Sequence, residues 1–157
     1  MSPRAACRLE ALGFTEVYDY VTGKADWLAR ALPTEGAGAR PPRVADVLRD
    51  DVVTADLDER IADIASRVDA SPYGFALVTS RGGVLLGRLR RATLRGDAAA
   101  TAEQVLEPGP STIRPDTDPA ALSSRLRERK LNTAVVTDPD GVLLGIVRLT
   151  DLDRHER

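Results

Sequence analysis

The sequence predicts an α/β protein (α+β repeats): two β-α-β-β-α units packed with pseudo-two-fold symmetry, plus a short N-terminal α-β-α appendage. Three observations carry that expectation. Residues 44–94 recur without a gap 58 residues later as residues 102–152, with about 17 of 51 positions identical, which marks a structural repeat. Each copy places a stripe of helical period before two short apolar runs joined by a glycine turn. A unit of about 50 residues is small for an independent core, so the two copies are expected to bury apolar surface against each other.

The appendage comes first, over residues 1–36. Ser2-Pro3 is a helix start, Ala6, Leu9 and Leu12 share one face, and Gly13 is a natural stop. Residues 16–21 read as a strand, and residues 24–31, with Trp27 and Leu28, as a short helix ended by Pro33. A strand without its sheet exposes donors and apolar side chains. Phe14, Val17, Tyr18, Tyr20 and Trp27 are therefore expected to dock on the repeats or on a partner chain. Residues 37–42, rich in glycine, alanine and proline, form a linker.

The first unit spans residues 43–98. It opens with the apolar runs Val47-Leu48 and Val52-Val53-Thr54, after which Asp58 stands where a carboxylate can cap a helix. Ile61, Ile64, Ala65 and Val68 make one helical stripe. Phe75 to Val78 and Val84 to Leu89 flank Arg81-Gly82-Gly83 as a hairpin, and a polar helix over residues 91–98 closes the unit. The second unit, residues 101–157, repeats this order. Its helix opens on Asp118-Pro119, a cap followed by proline at the first helical position. Leu122 and Leu126 carry its stripe. The hairpin turns through Asp138-Pro139-Asp140-Gly141, and residues 149–155 form the closing helix.

The sharpest repeated block is Val-Thr-x-x-x-Gly-Val-Leu-Leu-Gly-x-x-Arg, at residues 78–90 and 136–148. With the element order and the tail Gly145-Ile146-Val147-Arg148-Leu149-Thr150-Asp151-Leu152, it resembles the CBS domain (cystathionine-β-synthase-like domain), paired in tandem as a Bateman module. The resemblance implies a regulatory or scaffolding module that dimerises and holds AMP, ADP, ATP or S-adenosylmethionine in the clefts between its domains. In that family a Gly-hydrophobic-hydrophobic-Thr/Ser-x-x-Asp run binds the ligand. Its hydroxyl and helix amino terminus face phosphate, and its carboxylate accepts from the ribose hydroxyls.

This chain departs from the pattern. Gly145 and Asp151 match it, but Arg148 replaces the hydroxyl residue. In the first copy Gly87 remains, Arg90 takes the hydroxyl position and Thr93 the aspartate position. Arg90 and Arg148 read either as phosphate ligands or as solvated or locally paired residues in an arginine-rich chain. Asp151 reads as the ribose carboxylate or as a helix-surface acid. The resemblance also points to Thr54, Thr112, Asn132 and Thr133, and to Tyr73, which either stacks on a base or belongs to the core. The appendage resembles the last third of a rhodanese (sulfurtransferase) domain, without the loop that carries that family's catalytic cysteine. Cys7 lies within the helix pattern instead.

Composition narrows the classes. A net charge of −2, with both signs spread along the chain, argues against nucleic-acid and anionic-membrane binding. One cysteine excludes an internal disulfide, and no Cys/His spacing suits a metal. The start lacks a signal-peptide pattern and no apolar run is long enough to span a bilayer, so a cytoplasmic location is expected. No Ser/His/Asp set, phosphate-binding glycine loop or paired carboxylates point to an enzyme. Three functions stay open: a homodimeric sensor of an adenosine compound, a ligand-free module that binds another protein, and a sulfur-handling protein.

Overall fold

The computed structural model describes residues 3–35 and 42–155. Helix α1 (Pro3–Ala11) ends as expected: Gly13, at φ +92°, donates to the Glu10 carbonyl at 2.9 Å. The strand expected over residues 16–21 is absent. The segment has no strand beside it among the described residues, and without a ladder an extended run is not a sheet. Helix α2 (Gly23–Ala29) follows, and Trp27 donates its indole N–H to the Pro33 carbonyl at 2.8 Å. Tyr20 meets Trp27 edge to face, with ring centroids 5.2 Å apart.

The expected apolar docking of this piece on the repeats does not occur at Phe14 or Tyr18, which are 59% and 86% exposed. The appendage is tied by charge instead. Arg30 pairs with Asp26 at 2.8 Å and with Asp140, on the second hairpin turn, at 2.7 Å.

A 3-10 turn (Val44–Val47) leads into β1 (Val53–Ala55), α3 (Ile61–Asp69), β2 (Phe75–Thr79), β3 (Leu85–Arg90) and α4 (Arg91–Leu94). The second repeat gives α5 (Ala102–Val105), β4 (Glu107–Pro108), β5 (Thr112–Ile113), α6 (Pro119–Glu128), β6 (Thr133–Thr137), β7 (Leu143–Arg148) and α7 (Leu149–His155). Asp118 caps α6, accepting from the amides of Ala120 and Ala121 at 3.4 and 3.2 Å. Asp58 caps nothing: α3 begins three residues later, at Ile61, behind Arg60. The reason is that Ile61 and Ala62 already donate to the carbonyls of Ala100 and Ala98, at 3.0 and 3.3 Å. Helix α4 stops at Leu94, short of the residue 98 expected, where Arg95 and Gly96 donate to the carbonyls of Ala92 and Thr93 at 3.3 and 3.1 Å.

Each unit pairs its first strand in parallel with its second and turns the second back through an antiparallel hairpin. What completes each sheet comes from the other repeat. β4, at the head of the second copy, pairs with β3 of the first. Arg49, at the matching position of the first copy, bridges Ile146 in β7. The cores follow the same exchange: Ala102 is buried with Ile61, Ile64 and Leu89, and Val44 with Leu122, Val136 and Val147. A third cluster, Val52, Leu77, Val135 and Ile146, joins the two sheets. The hairpin tips also meet symmetrically, Leu85 donating to the Gly141 carbonyl and Leu143 to that of Gly83, both at 2.9 Å.

Candidate functional site

Asp151 is the chemical focus. It lies on the first turn of α7, and its side chain is only 9% exposed. Burial of a lone carboxylate is costly, so it requires partners. Arg49 supplies Nε at 2.6 Å to Oδ2 and Nη2 at 3.4 Å to Oδ1. Arg148 supplies Nε at 2.9 Å to Oδ2 and Nη2 at 3.2 Å to Oδ1. Hydrogen bonds from Arg49 first, and then Arg148, hold the carboxyl well below the usual range, against the opposing effect of burial. Each guanidinium is in turn held charged by its bond to Asp151.

The two arginines arrive from different places. Arg148 ends β7, while Arg49 belongs to the segment that crosses from the first repeat. Asp51 extends the cluster, 4.0 Å from Arg49, and accepts a hydrogen bond from the Tyr73 hydroxyl. Burial, and next that bond, push the Tyr73 phenol upward. Tyr73 packs at a ring distance of 6.2 Å from Phe75 and touches the inter-sheet cluster. Val47, Leu48, Arg49, Asp151 and Arg154 line an open cleft of about 300 Å³.

Gly145 serves this joint through its backbone. Its φ is +145°, and a Cβ there would lie 2.2 Å from the Arg49 carbonyl oxygen, so the crossing segment runs through the space a side chain would take. Arg49 and Ile146 exchange two backbone hydrogen bonds at that point, of 2.9 and 2.8 Å.

The other expected residues are dispersed. Asn132 lends its carbonyl to the Leu149 amide at 2.9 Å, and Thr133 stands opposite Arg148 in the β6–β7 register. Thr112 and Thr133 line a shallow groove against α6, whose lining does not include Asp151. Thr54 is exposed, and its carbonyl accepts from Arg67 at 2.9 Å. Arg90 sits in the pseudo-equivalent position of the first unit, paired with Glu107 at 2.8 Å, while Arg88 reaches the same carboxylate at 3.5 Å.

Arg49 and Glu107 are the residues that sequence reading missed, and a signal for them exists. They occupy matching positions in the two copies with opposite charge. The copy ending in Asp151 receives an arginine from its neighbour. The copy with Thr93 in that place receives a glutamate, and each arrangement neutralises the repeated arginine.

Comparison with known proteins agrees with this architecture. Residues 102–156 match the model of the CBS domain. The chain is 29% identical over 116 residues to arabinose 5-phosphate isomerase KpsF of Escherichia coli, covering 69% of this chain and 36% of the relative. It thus spans about a third of the length of the curated relatives it matches. Among solved structures, the CBS domains of a transcriptional regulator from Streptococcus pneumoniae superpose with a TM-score of 0.64 at 16% identity, over 72% of this chain and 98% of theirs. The CBS domain protein PAE2072 from Pyrobaculum aerophilum, complexed with AMP, gives 0.58 at 18%, over 70% and 89%. No helix among the described residues is long and apolar enough to cross a membrane. Residues 102–156 thus match the CBS domain, and the repeat with its exchanged sheets gives the two units together the fold of solved CBS-domain pairs.

Proposed function

We propose that this is a regulatory CBS module that senses an adenosine-containing ligand, AMP, ADP, ATP or S-adenosylmethionine, at the Arg49–Arg148–Asp151 joint. One observation carries the reading: a buried carboxylate is held ionised between two guanidiniums, where the closing helix of one unit meets the crossing segment of the other. Ribose hydroxyls donate to a carboxylate, and arginines bind phosphate. Both chemistries meet here, with Tyr73 at the edge of the cluster. The Pyrobaculum relative is itself an AMP complex.

The geometry also supplies a regulatory consequence. Both oxygens of Asp151 are engaged, so a ligand must draw at least one arginine away. Drawing Arg49 away loosens the contact between the repeats, and a ligand that favours one packing over another shifts the population accordingly. The module is read as a homodimer, which sedimentation of the purified chain checks.

The same saturation of Asp151 favours a second reading, a ligand-free module in which the ion pairs are a permanent strut for binding another protein. A melting series with AMP, ADP, ATP and S-adenosylmethionine separates the two. Binding to the folded state at a hundredfold excess over Kd adds about 2.7 kcal/mol of stability. The sensor reading expects a rise in Tm with at least one compound, lost in Asp151→Asn. No rise with any of them leaves the strut.

A further inference from the structure

The two repeats also differ beside α3 and α6, in a consistent chemical direction. In the first unit Arg67 of α3 has two partners. It donates to the Thr54 carbonyl at 2.9 Å and pairs with the Glu59 carboxylate. The matching arginine of the second unit is Arg125 on α6. The position matching Glu59 is Thr117, so the carboxylate is gone. Among the described residues the Arg125 guanidinium has no hydrogen bond or ion pair.

Three further replacements surround it. Where the first unit has Ser71, Phe75 and Val53, the second has Arg129, Thr133 and Ser111. The result is a groove of about 120 Å³ in which Arg125, Arg129, Ser111, Thr112 and Thr133 stand beside an equal number of apolar residues. Arg125, in the last turn of α6, and Arg129, the residue that ends it, are four residues apart, a spacing that brings two like charges near each other. Arg129 is likewise without a side-chain partner among the described residues, and Glu128 between them pairs with neither. By contrast Arg127, on another face of α6, is tied to Asp153 at 2.6 Å.

We propose that this groove is an oxyanion site that takes a phosphate-sized group, separate from the joint at Asp151. Guanidiniums offer paired N–H donors that match the edges of a tetrahedral oxyanion, and the hydroxyl residues supply further donors. An anion bound between the arginines also removes their mutual repulsion. Size selects the ligand class, because sites for nucleotide-sized molecules occupy about 300–1,000 Å³. The groove holds a free phosphate ion, or the phosphate of an ester whose remainder lies in solvent.

Calorimetric titration at constant ionic strength tests this with inorganic phosphate and with glycerol 3-phosphate, using chloride as the control. Binding of the first identifies a free-ion site, and binding of the second alone identifies an ester site. Arg125→Met with Arg129→Met should weaken binding by about tenfold or more, the loss of charge-assisted hydrogen bonds. Thr117→Glu should do the same by the opposite route, giving Arg125 the carboxylate that occupies Arg67. Circular dichroism checks that both variants stay folded. Absence of binding above the chloride control overturns the site, and so does binding that survives both Thr117→Glu and the double arginine variant.

Discussion

Asp151 shows how a single side chain is set by what surrounds it. Its ionised form is favoured by Arg49 and then Arg148, so its pKa is lower in the folded state than in the unfolded chain. The sign follows from linkage: a depressed carboxyl contributes stability that is complete above the unfolded value, about 3.9, and that is lost as pH falls toward the folded value. Denaturant melts across pH should therefore show stability declining below about pH 4. In Asp151→Asn that decline should be shallower, and stability at neutral pH lower, because two arginines lose their anion. Superimposable acid limbs would assign the decline to another carboxylate.

The residue scale also shows the limit of motif reading. Gly145, Arg148 and Asp151 were legible as a group because they lie within seven residues of sequence. Arg49 was not, since about a hundred residues separate it from the carboxylate it holds. Thr54 and Thr112 look equivalent in the repeat. They hold equivalent register positions, opposite Leu77 and Val135, and differ in that Arg67 is bound to one while Arg125 is free beside the other.

Among the elements, the crossing segments matter most. Gly87 and Gly145 occupy matching positions in β3 and β7, and at both a Cβ would strike a crossing backbone, 2.8 Å from the Glu107 carbonyl oxygen and 2.2 Å from that of Arg49. Gly145→Ala should push residues 48–50 off β7. Losing both backbone bonds there costs about 1–3 kcal/mol. Hydrogen exchange should report it as new exposure of the Arg49 and Ile146 amides. Unchanged protection at both would mean that β7 shifts to admit the methyl group.

The helix starts teach a related lesson. Asp58 and Asp118 both stood before an apolar stripe, and only Asp118 caps. Sequence shows a carboxylate in position to accept. It does not show that residues 98 and 100 will reach the same amides first. The strand expected over residues 16–21 failed for a similar reason, because alternation and β-branching describe a strand only when a neighbouring strand is present.

For the whole molecule, the seam between the sheets is what packs the two repeats together. Leu77 is fully buried there beside Val52, Val135 and Ile146. Leu77→Ala should remove about 2–5 kcal/mol. Because each core contains a piece of the other repeat, the loss should appear in one cooperative transition rather than two. Urea unfolding followed by circular dichroism and by the fluorescence of Trp27, the single tryptophan, would show whether the appendage unfolds with the pair.

The repeat, the order of its elements, the two hairpins and the apolar stripes are legible in the chain alone, because each depends on periodicity within a few dozen residues. The tertiary structure alone decided which unit each leading segment completes, where Asp151 finds its second arginine, and that Arg125 lacks the carboxylate its counterpart holds. Those outcomes depend on contacts between residues far apart in the chain, where the local pattern is the same whichever way the segment crosses.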